Sequence, residues 1–470
     1  MFIRQFYVPG IAHTSYLVGA KDTCATVDPK RDVQDYLVAA RGMGMSITHI
    51  LETHLHADFV SGHLELQQAT GAPIYAPKAG SCEFDHVAVA QGEGFDIGDM
   101  HLDVLDTPGH TPDCVCYVVT DKARGDQPVA VFTGDTLFVG DVGRPDLFPG
   151  RGEELASELY DNLREKVMKL PDFCEVYPAH GAGSLCGRAM SEKRWSTIGY
   201  ERRFNQALQH ETRETFIESL LNGMPTAPDH FSRCSEVNRK GPAPVNEMPE
   251  ARRLSPQEMR SLIEQGNIVL DTRRPAGFGG GHIPGSYNII GAGNFPTFSG
   301  WLLPPDTPLL LVTETGADVA SLVTQLRRVG LDDVGGYLEG GIQAWGSAGM
   351  PIESIPQMSV HELKRLCDSG ERLTILDVRA ESEWDAGHIE GATHMPFPDT
   401  RTRYTEIGEN GTVALVCRTG ARSSIAASIL RQRDIENLAV VVGGMVAWAA
   451  AGYGPECATC TLLHGPRITQ

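Results

Sequence analysis

The feature that most constrains this chain is a short stretch that holds two imidazoles and a carboxylate, Thr53-His54-Leu55-His56-Ala57-Asp58-Phe59. An apolar, β-branched run at residues 47–51 precedes it and predicts a strand that ends in a loop. Histidine and carboxylate side chains at alternating positions beyond a strand are well placed to bind a metal. The stretch therefore predicts a metal site at the edge of a β-sheet.

Three later apolar segments end in a similar way, each with a histidine or an aspartate at or beside a turn. They lie at residues 102–111, 129–136 and 176–181, and they carry His110, Asp135 and His180. Strand ends on a rigid sheet can hold metal ligands in place. We therefore expect these side chains to join the first cluster.

The four clusters, in this order, resemble the metallo-β-lactamase superfamily, and the resemblance covers about the first 245 residues. It implies an αββα sandwich, in which two sheets pack face to face between helices and a metal lies at one edge. Many members, such as glyoxalase II hydrolases, hold two metals there. In that pattern a further histidine stands where this chain has Phe59, and a phenyl ring has no lone pair to donate.

Phe59 thus weakens the two-metal interpretation without excluding it, since single-iron relatives often keep that histidine. The superfamily's first site normally also uses His56, but the branches that bind one iron imply the ligands His54, His110 and Asp135. This set is the two-histidine, one-carboxylate triad of non-haem Fe(II) oxygenases, with positions open for O2 and a substrate sulfur. The residues that would then orient ligands or hydrogen-bond substrate are His56, Asp58 and His180.

Residues 140–147 and 196–201 are similar to one branch in particular, the persulfide dioxygenases. These oxidise the outer sulfur of glutathione persulfide, or of a similar low-molecular-weight persulfide, to sulfite. Arg144 within the first stretch could bind a substrate carboxylate or anchor its loop through a salt bridge. Cys186 follows His180 closely in sequence, and we interpret it as a buried inert thiol, although a part in the pocket stays open.

The second half of the chain repeats itself after a connector at residues 225–249 that is rich in proline and polar residues. The motifs Leu-Asp-x-Arg, Gly-His-Ile and Gly-Gly-x-x-Ala-Trp recur with a period of about 105 residues, which indicates a duplicated domain. Strands alternate with helices in each copy, so each should be an α/β domain with a parallel sheet. Both copies resemble rhodanese. We predict three domains, at residues 1–245, 253–352 and 355–455.

The second copy contains a nucleophile, Cys417, at the end of an apolar strand and before a helix predicted at residues 424–431. The loop after it should bind substrate through Arg418, Thr419, Gly420, Ala421 and Arg422. Backbone N–H groups, a helix N-terminus and two arginines all stabilise a thiolate. The short loop suits a persulfide or sulfite better than the larger phosphate of a phosphatase, so we predict a Cys417 persulfide.

The first copy has Thr313 in place of the cysteine, and Glu314 and Asp318 in place of the two arginines. An acidic loop repels anionic sulfur species. We therefore predict that this copy is inactive as a transferase and serves as a scaffold or a spacer.

The bulk composition excludes several classes of protein. A net charge of −20 and a pI near 5.2 argue against sequence-independent binding to nucleic acid or to an anionic membrane surface. No stretch is apolar enough to span a bilayer, and residues 1–7 lack the features of a secretory signal. The 11 cysteines show no framework spacing, which favours reduced thiols in a cytoplasmic protein. Cys457 and Cys460 form a lone CxxC, which is a weak signal for a redox or metal site.

The combined prediction is an enzyme of sulfide detoxification. It oxidises glutathione persulfide or a related persulfide with O2 at one Fe(II) per chain and couples this to sulfur transfer through Cys417, which forms thiosulfate or runs in reverse. Two alternatives stay open: a glyoxalase II-like thiolester hydrolase with two metals, and a sulfur carrier or sensor without catalysis. The sequence allows a homo-oligomer but decides neither its size nor the thiol that carries the persulfide.

Overall fold

The computed structural model describes residues 1–408 and 411–454, so the Cys457–Cys460 pair lies outside the described residues. The chain divides into two units, one formed by residues 1–249 with 324–331, and the other by residues 250–323 with the described residues from 332 onward.

The strands of the first unit form two six-stranded sheets. The first sheet contains, in spatial order, β1 (Phe2–Val8), β2 (His13–Ala20), β3 (Thr23–Val27), β4 (Ser46–Leu51), β5 (Ile74–Pro77) and β6 (Val87–Val89). The second sheet contains, again in spatial order, β7 (Gly94–Ile97), β8 (Met100–Asp106), β9 (Val115–Asp121), β10 (Pro128–Gly134), β11 (Glu175–Pro178) and β12 (Ser196–Thr197). Both sheets mix parallel and antiparallel pairs.

The two sheets face each other across a shared apolar core, because alternate side chains of each strand point between them. Tyr16 and Val18 of β2 meet Tyr117 of β9 and Phe132 of β10 there, and all four are buried. Helices cover the outer faces: α1 (Gln34–Gly42), α2 (His63–Thr70), α3 (Gly152–Glu165), α4 (Ile198–Phe204) and α5 (Arg213–Leu221). A sixth helix, α6 (His230–Lys240), packs through Phe231 against Ala57, Phe138 and Cys186. The predicted αββα sandwich is confirmed.

The ends of four strands meet at one edge of this sandwich, where the candidate metal residues follow β4, β8, β10 and β11. Gly134, the last residue of β10, allows the two sheets to approach there. Its φ is +50°, and a Cβ atom at this position would lie 2.4 Å from the Thr53 hydroxyl oxygen. Any larger residue would push apart the two loops that carry His54 and Asp135.

The second unit contains two copies of one α/β motif. The first copy contains β13 (Arg252–Leu254), α7 (Pro256–Glu264), β14 (Ile268–Asp271), α8 (Pro275–Gly280), β15 (Tyr287–Asn288), α9 (Phe295–Leu302), β16 (Leu309–Val312), α10 (Val319–Arg328), β17 (Val334–Leu338) and α11 (Gly341–Ser347). The end of α10 is counted with the first unit. The second copy contains β18 (Gln357–Met358), α12 (Val360–Ser369), β19 (Leu373–Asp377), α13 (Glu381–Asp385), β20 (Thr393–His394), β21 (Thr412–Val416), α14 (Ala421–Arg431), β22 (Leu438–Val441) and α15 (Gly444–Ala450).

The strand orders of the two copies are equivalent, β13-β17-β16-β14-β15 and β18-β22-β21-β19-β20, and neighbouring strands run parallel. The predicted parallel α/β sheets are therefore confirmed. Sheet β13–β17 begins at Arg252, one residue before the predicted boundary at 253, and the three-domain division otherwise stays a proposal. Among the described residues, no helix combines the length and apolar character that a membrane crossing requires.

The Leu-Asp-x-Arg and Gly-His-Ile motifs have the same structural role in both copies. Arg379 forms a buried bidentate pair with Asp377 and donates to the carbonyl of Gly387 at 2.8 Å. Arg273 does the same with Asp271 and with the carbonyl of Gly281, at 2.7 Å. These motifs therefore stabilise the fold at the end of a central strand and do not mark the reacting group.

The Gly-Gly motif of the second copy holds the strand end that carries Cys417. Gly444 has a φ of +51°, and the backbone N–H of Met445 donates to the carbonyl of Cys417 at 2.8 Å. A Cβ atom on Gly444 would lie only 2.1 Å from that same carbonyl oxygen. Only glycine combines this conformation with this approach.

A Gly444→Ala substitution should therefore destabilise the second copy by about 3 kcal/mol, because it adds a backbone clash to conformational strain. Hydrogen exchange of β21 and α15, measured by mass spectrometry on the full chain, should become faster. Gly452→Ala is the matched control: Gly452 also has a positive φ, +76°, but a Cβ there meets nothing within 4 Å. Equal effects of both substitutions would show that the contact with Cys417 is unimportant.

Candidate functional site

Three buried side chains converge at the edge of the first unit where the strands end. His54 follows β4, His110 follows β8 and Asp135 directly follows β10. Asp135 Oδ2 lies 3.3 Å from His110 Nε2 and 3.8 Å from His54 Nε2. The structure thus brings together the three residues that the sequence proposed as ligands, with one donor atom of each within 4.8 Å of the others.

Hydrogen bonds on the far side of each imidazole decide which nitrogen faces the centre. The Thr53 hydroxyl donates to Asp28, so at 3.0 Å it accepts from His54 Nδ1–H. His110 Nδ1–H donates at 2.8 Å to the carbonyl of Arg144, which can only accept. Both histidines therefore turn the lone pair of Nε2 toward Asp135, the arrangement that a metal ligand requires.

The protonation states also suit a metal. Burial lowers the pKa of His54 and of His110, which favours neutral imidazoles. Burial would raise the pKa of Asp135, but the neighbouring His180 outweighs it and holds that pKa well below its usual value. His54 Nε2, His110 Nε2 and Asp135 Oδ2 are buried and have no hydrogen-bond partner among the described residues. Since such atoms are costly to bury, the donor set fits a bound metal ion.

His180 connects two carboxylates beside this centre. Its Nδ1 lies 2.8 Å from Asp135 Oδ1, and its Nε2 lies 2.8 Å from Asp58 Oδ2. Burial would lower the pKa of His180, but these two carboxylates raise it well above its ordinary value. The hydrogen bond from His180 Nδ1 therefore orients Asp135.

His56 lies beside His54, with ring centroids 4.1 Å apart, and turns its Nε2 toward two further carboxylates. Its Nε2 lies 3.1 Å from Asp28 Oδ1 and 3.7 Å from Glu52 Oε2. The fully buried ring of Phe59 packs beside it, with ring centroids 4.4 Å apart. The sequence analysis missed Asp28, Glu52 and the buried His13, whose ring lies 4.0 Å from that of Phe59. Asp28 follows the strand β3, which is the signal that could have revealed it.

A second group of possible ligands lies next to the first. Donor atoms of Asp58, His180 and Cys186 are within 4.8 Å of one another, and all three residues are buried. Burial raises the pKa of the Cys186 thiol well above its usual value, which favours the neutral form. Cys186 thus reaches the pocket as a buried thiol, and the alternative of a two-metal centre keeps a structural basis.

Arg144 is an anchor of its loop. Its guanidinium binds Asp146 at 2.7 Å through both Nε and Nη2, and it donates to the carbonyls of Leu185 and Pro225. The side chain is buried, and four hydrogen bonds use most of its five N–H donors. These contacts fit the salt-bridged alternative, and a substrate-binding role of Arg144 stays a prediction.

A Thr53→Val substitution should weaken metal binding roughly 10- to 100-fold, because it removes the acceptor that orients His54. The measurement is the metal retained by the full chain in competition with a chelator. Thr48→Val, on the same strand β4 but hydrogen-bonded to the carbonyl of Cys24, is the control and should retain the metal as the wild type does. An unchanged affinity of the Thr53 variant would disprove the orienting role.

In the second unit, the Cys417 loop is shorter than the sequence suggested. Cys417 follows β21 directly, and α14 already begins at Ala421, three residues before the predicted start. The buried sulfur accepts a hydrogen bond from the backbone N–H of Gly420 at 3.1 Å. Arg418 is half-buried and Thr419 is exposed. The arrangement presents a sulfur nucleophile beside a backbone donor and the start of a helix.

Arg422 is paired in a way that the sequence analysis did not anticipate. Its two terminal nitrogens donate to the two carboxylate oxygens of Glu383, one of them at 2.8 Å. Burial would raise the pKa of Glu383, but Arg422 outweighs it and lowers that pKa. The charge of Arg422 beside Cys417 is therefore compensated locally.

The first copy contributes a buried contact to the helix behind Cys417. Asn288 Oδ1 accepts from the Ser424 hydroxyl at 2.6 Å, and the backbone N–H of Asn288 donates to the Ser428 hydroxyl at 3.1 Å. The Asn288 amide is itself held by the carbonyls of Asp271 and Arg273. These bonds favour the scaffold over the spacer among the roles predicted for this copy.

Comparisons with known proteins agree with this geometry. The model of the metallo-beta-lactamase superfamily matches residues 8–180. A probable metallo-hydrolase of Burkholderia pseudomallei (strain 1710b) is 31% identical over 267 residues, which cover 49% of this chain and 86% of that protein. This chain belongs to the metallo-beta-lactamase superfamily. A crystal structure of a metallo-beta-lactamase from Staphylococcus aureus subsp. aureus COL, 32% identical, covers 72% of this chain and 98% of its own, with a TM-score of 0.64.

Two further similarities bear on the chemistry. The mitochondrial persulfide dioxygenase of Mus musculus is 28% identical over 202 residues, which cover 41% of this chain and 74% of that protein. The model of the rhodanese-like domain matches twice, at residues 255–348 and 359–451. The chain therefore joins a metallo-beta-lactamase domain with persulfide dioxygenase relatives to two rhodanese-like domains.

Proposed function

We propose that this chain is a persulfide dioxygenase fused to a sulfurtransferase, acting in sulfide detoxification. It oxidises the outer sulfur of glutathione persulfide, or of a similar low-molecular-weight persulfide, to sulfite. The observation that carries the proposal is the convergence of two imidazoles and one carboxylate, from His54, His110 and Asp135. The persulfide dioxygenase relatives and the rhodanese-like domains support the same chemistry.

The oxidation balances as one persulfide, one O2 and one water giving one thiol, one sulfite and two protons. A ferrous ion held by His54, His110 and Asp135 would supply open positions for O2 and the persulfide sulfur, and electrons for activating O2. His180 keeps Asp135 oriented through Nδ1, and its Nε2 lies 2.8 Å from Asp58 Oδ2. Phe59 is buried, and its ring offers no lone pair at the position where the two-metal pattern has a further histidine.

The transfer step uses Cys417 as the nucleophile. Its thiolate attacks the outer sulfur of a second persulfide, the S–S bond of that persulfide breaks, and the organic thiolate leaves. Sulfite then attacks the outer sulfur of the Cys417 persulfide, which forms the S–S bond of thiosulfate and regenerates the Cys417 thiolate. No net oxidation occurs, and the same residues can run the step in reverse. Joining both activities in one chain raises the effective concentration of sulfite at Cys417.

Anaerobic purification should yield one iron per chain, and the protein should consume O2 when glutathione persulfide is added. Removal of the metal with a chelator should abolish this uptake, and Fe(II) should restore it. Two zinc ions per chain, together with hydrolysis of a glutathione thiolester, would contradict the proposal and support the hydrolase. That alternative rests on the neighbouring donors of Asp58, His180 and Cys186.

A Cys417→Ser variant should keep the O2 uptake of the wild type but lose thiosulfate formation, because only the second step needs its sulfur. Oxygen-electrode traces and chromatography of thiosulfate separate the two activities. Cys367→Ser, an exposed cysteine on α12 of the same copy, is the control and should keep both. Thiosulfate formation by the Cys417 variant would disprove its assignment, and a chain that consumes no O2 would be a carrier or a sensor.

A further inference from the structure

The two rhodanese-like copies differ at a pair of positions that contact each other only in the active copy. Counted from the shared Leu-Asp-x-Arg motif, Glu383 corresponds to Gly277, and counted from Cys417 and Thr313, Arg422 corresponds to Asp318. The next residues confirm this register, since Trp384 stacks on His388 as Phe278 stacks on His282, with ring centroids 3.5 and 3.9 Å apart. The copy without the nucleophile thus lacks both halves of the ion pair.

The Glu383–Arg422 pair uses the part of the guanidinium that binds oxyanions best. The fork formed by its two terminal nitrogens matches the two oxygens of a carboxylate, or two oxygens of sulfite or thiosulfate. Glu383 already occupies this fork, and the side chains of Arg422 and Glu383 are only 17% and 11% exposed. A substrate anion at Cys417 therefore meets an ion pair of zero net charge and a carboxylate that repels it.

The rim of the active loop is also less polar than that of the inactive copy. Val442 and Val446 are 51% and 45% exposed, and the backbone N–H of Val446 donates to the carbonyl of Arg418 at 3.1 Å. The corresponding residues of the first copy are the exposed Glu339 and Gln343. An apolar rim suits the organic part of a substrate better than a small, strongly hydrated dianion.

We propose that Glu383 is a specificity-determining residue of the Cys417 site, which makes an organic persulfide the preferred sulfur donor over thiosulfate. The inference rests on the proposed sulfur transfer and deepens it, because it names the class of sulfur donor that loads Cys417. A persulfide carries a single negative charge at its reacting end, whereas thiosulfate carries two and needs a more positive loop. The compensated charge also weakens the hold on thiosulfate after it forms, so that the product leaves.

The loading step is an exchange of sulfur between two thiolates. The Cys417 thiolate attacks the outer sulfur of R–S–S⁻, a new S–S bond forms at Cys417, and R–S⁻ leaves. With thiosulfate as donor, the same attack expels sulfite instead. Neither step needs an oxidant, so both can be measured without O2, when the dioxygenase site cannot consume the donor.

The test compares the wild-type chain with Glu383→Gln and with Glu381→Gln. The rate of sulfur gain at the Cys417 peptide is followed by mass spectrometry, with thiosulfate or with glutathione persulfide as donor. Glu383→Gln should speed loading from thiosulfate roughly three- to tenfold, because the Arg422 charge is no longer compensated. Loading from glutathione persulfide should stay within about twofold of wild type, and thiosulfate should become a stronger product inhibitor.

Glu381→Gln is matched to this variant, since it removes the same charge from an exposed position on the same helix α13. Glu381→Gln should leave the loading rate of Cys417 unchanged with either donor. Equal acceleration of both donors by Glu383→Gln, or no change in either, would overturn the proposal. Glu383→Asp, which keeps the carboxylate, should restore most of the preference of the wild type.

Two outcomes separate this inference from the proposed function. If the wild type gains no sulfur at Cys417 from either donor, the sulfurtransferase assignment itself is wrong. If Glu383→Gln does not fold, Val446→Lys adds a positive charge at the exposed rim and leaves the Glu383–Arg422 pair in place. This variant should also speed the loading of Cys417 from thiosulfate more than its loading from glutathione persulfide. Equal acceleration with both donors would again overturn the proposal.

Discussion

The chemistry of the first unit depends on two hydrogen bonds behind the candidate metal ligands. The Thr53 hydroxyl accepts a hydrogen bond from His54 Nδ1–H, and the carbonyl of Arg144 accepts one from His110 Nδ1–H. Each ring therefore turns the lone pair of Nε2 toward the centre. Without these bonds the imidazoles could present N–H groups to the centre, and metal binding would weaken. The buried Asp28 fixes Thr53, and the salt-bridged side chain of Arg144 fixes its own carbonyl. The loop residues around the centre thus act mainly through the orientation of two rings.

The burial of polar atoms without hydrogen-bond partners destabilises the fold, which is expected only at a functional site. Buried nitrogen and oxygen atoms without partners are each destabilising by about 1–3 kcal/mol. Folding keeps His54, His110 and Asp135 together because they lie at strand ends of two sheets that share one core. The apolar sandwich therefore stabilises a cluster that would not assemble on its own. The contacts of His180 with Asp135 and Asp58 compensate part of the buried charge.

In the second unit, the two copies share the residues that stabilise the fold but differ in the residues around the nucleophile. Both copies keep the Asp–Arg pair at the end of their second strand along the chain, β14 or β19. Both also keep the glycine pair at the start of the last helix, because these features hold the fold together. Only the second copy keeps Cys417 and the Glu383–Arg422 pair. The first copy retains a structural role through Asn288, which binds the helix that begins just after the Cys417 loop. Loss of the nucleophile thus did not remove the need for this domain.

Much of this was accessible from the sequence, because its signals are local. The stretch with His54, His56 and Asp58 and the later His110 and Asp135 predicted donors at strand ends, and they carried the resemblance that implied the sandwich. The repeated Leu-Asp-x-Arg motif and the alternation of strands and helices predicted the parallel sheets. Other features were missed because their partners are distant in the chain. Asp28 acts on a loop 25 residues away, and Glu383 meets Arg422 across 39 residues. The predicted start of α14 at residue 424 was wrong, because the residues read as the end of the Cys417 loop, from Ala421 onward, already form the first turn of the helix.

The sequence alone determined which chemical groups are present: two histidines and an aspartate at strand ends, a phenylalanine where a further ligand could stand, and one cysteine in a glycine loop. Only the tertiary structure decided how these groups are used. It turned His56 toward Asp28, made Arg144 an anchor, and gave Arg422 a carboxylate partner. The reason is physical: residue type and spacing fix what a side chain can donate or accept, but its orientation and charge depend on neighbours that only folding brings into contact.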